Sequence, residues 1–571
     1  MLKYLTLTNI KLGISYLKRN GIKSFFNQFL IYTSSDYSNY NYYIRKTSLS
    51  KKERLEEANY CFQYNPLYGL IYNSNKALSA PFVKAITTQT YTNMVLFIPE
   101  NQKNNINISN IKIFFYTSVE DILHIECSHY IFIDENNVPA PNLLFEITYA
   151  LNEQSFDIIY YDEDILQNGK RSNPKFKPDF NYHLLLQYNY IGNCFCVSKT
   201  AVQKIFLICN SNMSSLKFDI LIFAKRNLCS VKHICKILNH NLNEPITNYA
   251  LYSKSLLFYF NYYNIHATIT NKDNKSLRIS YALENEPLVS IIIPNKDHVE
   301  DLSKCICSIK KSTYTNYEIL IVENNSENAN TFAYYDTIKS SQIQILHWNN
   351  EFNYASINNF AVQKSKGQYI VFLNNDTEII SSNWLQEMLM YCQQDDIGIV
   401  GALLYYPDYT VQHSGVILGI GGVAGHAHKN VQSNETGYDN RLHVAQEYSC
   451  VTAACMMVKK ELFIEVDQFD ENFKVAFNDI DLCLKIRKQN YYIIYTPYAQ
   501  LLHYESKSRG AEDTSEKKQR FNSEVNLFRK KWHTILDAGD PYYNPNLTLL
   551  YEDFSLKRKV EYRSDFSFYK K

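Results

Sequence analysis

The chain repeats itself, and an internal repeat constrains a fold more tightly than composition does. The early text FVKAITTQTYTNMVLFIPEN and the later text LSKCICSIKKSTYTNYEILIVENN share a helix-like segment, a Tyr-Thr-Asn turn, an apolar strand and a carboxylate–amide pair at the strand end. The order then continues. HYIFIDEN answers to QYIVFLNNDTEI, YIGNCFCVSKTAV to CVTAACMMVKKELF, and FDILIFAKRN to FNDIDLCLKIRK. An α/β unit written twice accounts for all four pairs, at roughly 200 to 250 residues per copy. The 571 residues divide accordingly into an amphipathic helical leader over 1–50, a first module over 51–270, a polar linker over 271–286, a second module over 287–535 and a tail over 536–571.

Within the second copy PLVSIIIPNKD, YEILIVENNS and YIVFLNND read as short strands, apolar on both faces and separated by helical text such as LSKCICSIKKS. This alternation predicts a parallel sheet covered by helices, in which ligands gather at the carboxyl ends of the strands. Those ends carry Asn295, Lys296 and Asp297, then Glu323, Asn324 and Asn325, then Asn374, Asn375 and Asp376. Three converging polar ends meet the needs of a nucleotide pocket: amides and carboxylates for ribose hydroxyls and a base edge, and a last carboxylate for a divalent ion.

Charge and cysteine usage narrow the class. Lys and Arg number 58 against 57 Asp and Glu, with no dense basic stretch, which weighs against a nucleic-acid partner. The 13 cysteines are mostly scattered, and the closest pairs, Cys194/Cys196 and Cys305/Cys307, lack the spacing of a zinc knuckle or redox pair, so most read as reduced core residues of a cytosolic protein. No run of apolar residues is long enough to predict a transmembrane helix, and the start lacks the series of a secretory signal. Residues 18–32 mix bases with Phe25, Phe26 and Phe29. They are expected to form a basic amphipathic helix that either packs on its own domain or rests on an anionic membrane. The expected location is the cytoplasm, with any membrane contact peripheral and at the inner face of the cytoplasmic membrane.

The candidate chemistry lies in the second copy. Asp376 is the candidate metal ligand, because hard cations take oxygen ligands from one or two carboxylates plus substrate phosphates; a turn whose Asn and Asp side chains bond their own backbone is the alternative. In FDENFKVAFNDIDLCLKIRK, Asn478 is positioned to cap a helix with Asp481 as the reciprocal acid three residues on. Asp479, in the first turn, is then either a general base or an acid favoured by the helix dipole. His503 offers an imidazole to complete the ion's shell or to touch a leaving diphosphate that Lys507 and Arg509 neutralise; a surface histidine beside a solvated basic loop is the alternative. HSGVILGIGGVAGHAH fits neither a Walker loop nor a dinucleotide fingerprint, and is expected to be a mobile loop bringing His413, His426 and His428 over the pocket. Small Thr452, Ala453 and Ala454 would let a substrate lie close to backbone, a use that helix packing would make of them equally well.

Taken in order, VSIIIPNKD, EILIVENNS, YIVFLNNDTEI, VTAACMMVKKELF, FDENFKVAFNDIDLCLKIRK and LLHYESKSRG resemble bacterial family 2 glycosyltransferases, and more narrowly the tandem proteins of O-antigen and other surface-polysaccharide assembly. The resemblance covers nearly all of the second copy, and DPYYNPNLTLLYEDFSLK is similar to the tail such proteins carry. It implies two tandem α/β, Rossmann-like nucleotide-diphospho-sugar transferase modules of the A type, inversion at the anomeric carbon, and Mg²⁺ or Mn²⁺. The donor would be a nucleotide-diphosphate sugar and the acceptor a hydroxyl of a growing, lipid-linked surface glycan. By motif match Pro294, Asp297, Glu323 and Asn325 fall on the nucleotide side. Asp376 matches the last acid of the Asp-x-Asp metal motif, with Asn374 at its first position and Asn375 between, and Asp479 matches the catalytic base. Asn374 and Glu323 stand where Asp is more usual, each keeping an oxygen ligand. A non-catalytic carbohydrate-binding or assembly scaffold is the alternative from a different class.

The first copy is shortened and degenerate on this reading. FIPENQ replaces IVENNS, and IDENNVP, with Asp134, Glu135 and Asn136, replaces LNNDTEI. From Glu100 to Asn136 is 36 residues, against 53 from Glu323 to Asp376, so a piece matching HWNNEFNYASINNFAVQKSKG is missing. Asp219 is a weak counterpart of Asp479, and Asp162, Glu163 and Asp164 read as a pocket rim or a solvated turn. The first module is expected to be a scaffold or acceptor-binding unit, with a second active transferase as the rival.

Overall fold

The structure, a computed structural model, describes residues 40–105, 108, 110–272, 275–504, 514–558 and 561. The basic segment 18–32, Lys507 and Arg509 lie outside these. From edge to edge the first module's sheet runs Lys112–Tyr116, Met94–Pro99, Tyr68–Tyr72, His129–Ile133, Cys196–Ser198, Ile158–Gln167, Val231–Asn241 and Asn137–Pro139, with Lys170–Lys175 paired on Ile158–Gln167. The second runs Ile343–His347, Tyr317–Glu323, Val289–Asn295, Tyr369–Leu373, Cys455–Lys459, Ile397–Tyr405, Tyr492–His503 and Thr377–Ile379, with Val411–His413 paired on Ile397–Tyr405.

Position for position the two orders coincide, and so do the strand senses. In each sheet the first four strands are parallel, the fifth is antiparallel to both its neighbours, the sixth and seventh are parallel, and the eighth is antiparallel. The duplication read from the text is therefore a duplication of topology. The expectation of an all-parallel sheet is corrected: Cys455–Lys459 enters between two parallel blocks in the opposite sense, which no periodicity reveals.

Strands apolar on both faces arise because each sheet separates two cores. Val289, Ile291 and Ile293 project into one core with Ile321, Val371 and Met388, while the intervening Ile292 joins Leu320, Ile370 and Phe372 on the other side. Each such side chain contributes roughly 1.5–3 kcal/mol by leaving water. The shortening of the first copy is visible as a helix. Tyr354–Lys364 links Ile343–His347 to Tyr369–Leu373, whereas the corresponding link in the first module holds only the five-residue helix Val119–Leu123.

The segment read as a linker is structured. Ala267–Lys272 pairs antiparallel with Ser276–Tyr281, and Leu277 and Ile279 are buried in the first module's core. The tail is wedged between modules. Tyr543, Leu547 and Phe554 share one apolar cluster with Tyr43, Phe176 and Ile237 of the first part and Leu403, Tyr448 and Tyr495 of the second. A polar seam accompanies it: His183 Nδ1 lies 2.7 Å from the buried Glu447 carboxylate, and Asn181 Nδ2 donates to the Glu447 carbonyl at 2.9 Å. Asp162, Glu163 and Asp164 are neither rim nor solvated turn. They lie buried in Ile158–Gln167 and are matched internally by His233, Lys177 and Arg171. Among the described residues no helix is long and apolar enough to cross a membrane.

Candidate active site

A cleft of about 600 Å³ opens at the carboxyl ends of the second module's parallel strands. Pro294, Asp297, Asn374, Asn375, Asp376, Asp479 and His503 all line it. Interlocked amides shape its floor: Asn375 Nδ2 donates to Asn295 Oδ1 at 2.6 Å, and Asn295 Nδ2 donates in turn to Tyr335 Oη at 2.8 Å.

Strand pairing creates the contact between Asp376 and His503. Thr377–Ile379 runs antiparallel to the end of Tyr492–His503, with Thr377 opposite His503, so the imidazole falls beside the preceding carboxylate. Nε2 of His503 lies 3.2 Å from Asp376 Oδ1 and 3.2 Å from Asn374 Nδ2, while Nδ1 lies 2.6 Å from Gln412 Oε1. An amide oxygen only accepts, so Nδ1 donates to Gln412, and Nε2 is the ring nitrogen turned toward Asp376 and Asn374. Both Asp376 and His503 are buried at the cleft wall.

The helix Asn478–Lys488 presents Asp479 to the same cleft from its first turn. Asp479 Oδ1 accepts from Ile480 N at 2.8 Å and Oδ2 from Ala453 N at 3.2 Å. Burial pushes its carboxyl above the ordinary Asp range, and the two backbone amides act against that push. The expected capping box does not form. Phe477, at φ 64°, occupies the cap, Asn478 turns back to the Phe473 and Val475 carbonyls, and the buried Asp481 accepts from Trp532 Nε1 at 2.8 Å and Lys531 Nζ at 2.7 Å. With a left-handed residue at the cap, Asn478 is already helical and its side chain is aimed away from the free amides.

Two residues placed on the nucleotide side by motif do not reach the cleft. Glu323 is buried, with one oxygen 2.5 Å from Ser326 N and the other 2.6 Å from both Ser326 Oγ and Tyr335 Oη. Asn325, exposed at φ 54°, donates to the Asn350 carbonyl; its neighbour Asn324 lines the cleft instead. Asp297 reaches the cleft while its Oδ1 accepts from Glu327 N and Asn328 N at 3.1 and 2.9 Å, which anchors the loop below.

The glycine-rich text is a hairpin, Val416–Leu418 with Ala424–His426, and not a loop over the pocket. His426 alone of its three histidines lines the cleft, with its Nδ1 2.8 Å from His413 Nδ1. His428 points elsewhere, stacked on Phe554 of the tail, and burial pulls its pKa down to about 3. Sequence reasoning missed Gln412, Tyr354 and Lys429, which also line the cleft. Tyr354 lies in the stretch recognised as absent from copy one, the one available signal; Gln412 is brought in by the strand Val411–His413 and Lys429 by the turn after Ala424–His426.

The first module does not repeat this arrangement. Matching strand ends sets Asn136 where the second module has Asp376, and Asn241, opposite Asn137, where it has His503. Asp134 and Glu135 face lysines: Lys76 Nζ is 2.9 Å from Glu135, and the partly buried Lys217 feels both carboxylates while burial holds its pKa below the usual lysine range.

Residues 290–467 match the model of glycosyl transferase family 2. The chain is 34% identical over 547 residues to the uncharacterized protein y4gI of Sinorhizobium fredii, covering 88% of this chain and 60% of that protein. It is 29% identical over 444 residues to the O-antigen biosynthesis protein RfbC of Myxococcus xanthus, covering 75% and 34%. A shorter match, 28% over 134 residues and 23% of this chain against 49% of the other, is to the Escherichia coli UDP-Glc:alpha-D-GlcNAc-diphosphoundecaprenol beta-1,3-glucosyltransferase WfgD. The chain thus spans 60% and 34% of the length of the two longer relatives. The second module thus carries the match to glycosyl transferase family 2, and three quarters of the chain is similar to a bacterial protein named for O-antigen biosynthesis.

Proposed function

We propose that the second module transfers a sugar, with inversion, from a nucleotide-diphosphate sugar to a hydroxyl of a growing surface glycan. The observation that carries this reading is one cleft lined by Asp376, His503 and Asp479 together. Asp376 and His503 fit a divalent cation. Two cis ligands of an ion bound octahedrally at about 2.0–2.1 Å stand about 3 Å apart, and Asp376 Oδ1 and His503 Nε2 are 3.2 Å apart. Asp376, His503 and the amide of Asn374 would hold Mg²⁺ or Mn²⁺. When bound, the ion supplies positive charge where the leaving diphosphate gains negative charge.

The protein's own groups do the rest. Asp479 takes the proton of the acceptor hydroxyl as that oxygen forms its bond to the anomeric carbon and the carbon–phosphate-oxygen bond breaks on the opposite face. Displacement from the opposite face inverts the centre. A carboxyl raised by burial is a stronger base than a free Asp, and its two backbone donors fix its direction. Lys429 and Lys296, both lining the cleft, attract the diphosphate, a role shared with Lys507 and Arg509 on the resemblance. Asn374, Asn375, Pro294 and Asp297 shape the donor subsite.

The first module serves as a non-catalytic scaffold, a reading supported by Asn136 and Asn241 in place of the carboxylate and imidazole and by lysines facing its strand-end acids. The acceptor is lipid-linked and the protein works at the inner face of the cytoplasmic membrane. A relative whose name specifies a diphosphoundecaprenol acceptor supports this, as does the basic, aromatic text of residues 18–32. The test is nucleoside diphosphate release and sugar transfer from a panel of nucleotide sugars, with Mn²⁺ or EDTA, by wild type, Asp376→Ala and Asp479→Asn. Loss of turnover in EDTA and in both variants supports the reading; equal turnover by all three proteins overturns it.

A further inference from the structure

A second cluster of metal-ligating groups lies in the first module, where the proposed transferase chemistry uses nothing. His233 and Cys235 stand two apart on the strand Val231–Asn241 and so share a face. Asp179, on the segment after Lys170–Lys175, comes up beside them. The ligand atoms of the three residues lie within 4.8 Å of one another. His233 Nδ1 is 3.3 Å from Asp179 Oδ1 and 3.5 Å from Cys235 Sγ. A tetrahedral ion bound at about 2.0–2.3 Å sets its ligand atoms about 3.3–3.6 Å apart.

The imidazole is oriented as a ligand. Its Nε2 is 2.9 Å from Asp162 Oδ1, a carboxylate with no solvent exposure that also accepts from Lys177 N at 2.8 Å and from Asn544 Nδ2. The ring stacks on Tyr160 at 4.7 Å and 5°. A buried carboxylate holding one ring nitrogen, with the other presented to a thiol and a second carboxylate, is the outer support found around zinc-binding histidines. Asp179 is exposed, which leaves solvent for a fourth position.

We propose that Asp179, His233 and Cys235 form a zinc site that fastens the tail to the first module. The donor set of one thiolate, one imidazole and one carboxylate matches a borderline-soft, four-coordinate cation. The ion takes the place of the protons on the thiol and on Nδ1, which leave to solvent. Every ligand-bearing stretch touches the tail: Asp179 N donates to the Pro541 carbonyl at 2.8 Å, Asn546 Nδ2 to the Cys235 carbonyl at 2.9 Å, and Asn544 Nδ2 to Asp162.

The full chain, stripped with EDTA and desalted, is titrated with Co²⁺ and then with Zn²⁺, following the near-ultraviolet thiolate-to-cobalt absorption and the melting temperature. Wild type is expected to bind one equivalent with that absorption, to lose it on adding Zn²⁺, and to melt higher when loaded. Cys235→Ser removes the absorption, and the exposed Asp179→Asn weakens Zn²⁺ at least tenfold, while both variants fold. Asp376→Ala keeps the absorption, which separates this site from the cleft. No thiolate absorption in wild type, an unchanged spectrum in Cys235→Ser, or its loss in Asp376→Ala overturns the proposal.

Discussion

Replacing Asp479 by Asn tests the proposed mechanism most directly, because the structure separates its effect on folding from its effect on chemistry. The carboxylate accepts two backbone hydrogen bonds, from Ile480 N and Ala453 N. Asn keeps one oxygen for one of them and turns an amide toward the other donor, a loss of about 1–3 kcal/mol. Typical domain stabilities of about 5–15 kcal/mol absorb that loss, so the variant folds and binds donor. Losing the base should lower kcat by about 10²–10⁴, or roughly 2.7–5.5 kcal/mol of barrier. The assay is sugar transfer at saturating donor as a function of pH, with donor affinity measured separately. Only the carboxylate accepts a proton, so wild-type activity falls as pH drops through the Asp479 pKa. Because burial raises that pKa, the acid limb should lie above the value of about 3.9 for a free Asp. A variant within tenfold of wild type, with the same acid limb, refutes the assignment.

Asp376→Ala should abolish Mn²⁺-stimulated turnover, and isothermal titration should show loss of cation binding at the cleft. Gly415→Ala should destabilise the chain by at least about 1–3 kcal/mol in denaturant unfolding, because φ is +110° there and an added methyl would press into the Tyr448 ring. Trp532→Phe removes the indole donor to buried Asp481 and should cost about 1–3 kcal/mol, read as a lower melting temperature with the cleft intact. His428 is buried, with its pKa pulled down to about 3. The unfolded chain therefore binds its proton first, and stability is full above about pH 6.5 and lost at about 1.4 kcal/mol per unit as pH falls from there toward 3. His428→Asn should flatten that part of the stability–pH curve.

The site was legible in proportion to how local its signals are. Asp376 at the end of an apolar strand and Asp479 at a helix start are each announced by a few residues of context, and both face the cleft. Glu323 and Asn325 carry an equally plausible strand-end context. Yet Ser326 and Tyr335 take the first, and a left-handed backbone turns the second outward. Asn478 has the composition of a cap but not the position, because Phe477 takes it. The glycine-rich text looked like a loop because glycine is read as freedom; here Gly415 is the residue small enough to lie against the Tyr448 ring.

What the sequence by itself determined is the doubled α/β plan, since the order of apolar runs and turns repeats and each run is long enough for one two-faced strand. The sense of Cys455–Lys459, the meeting of His503 with Asp376 and of His233 with Asp179, and the wedging of the tail between modules were decided by tertiary structure alone. The reason is geometric. Periodicity records which face of a strand meets a core, whereas the partner across a sheet depends on registers between segments more than 50 residues apart, and those are set when both modules and the tail pack together.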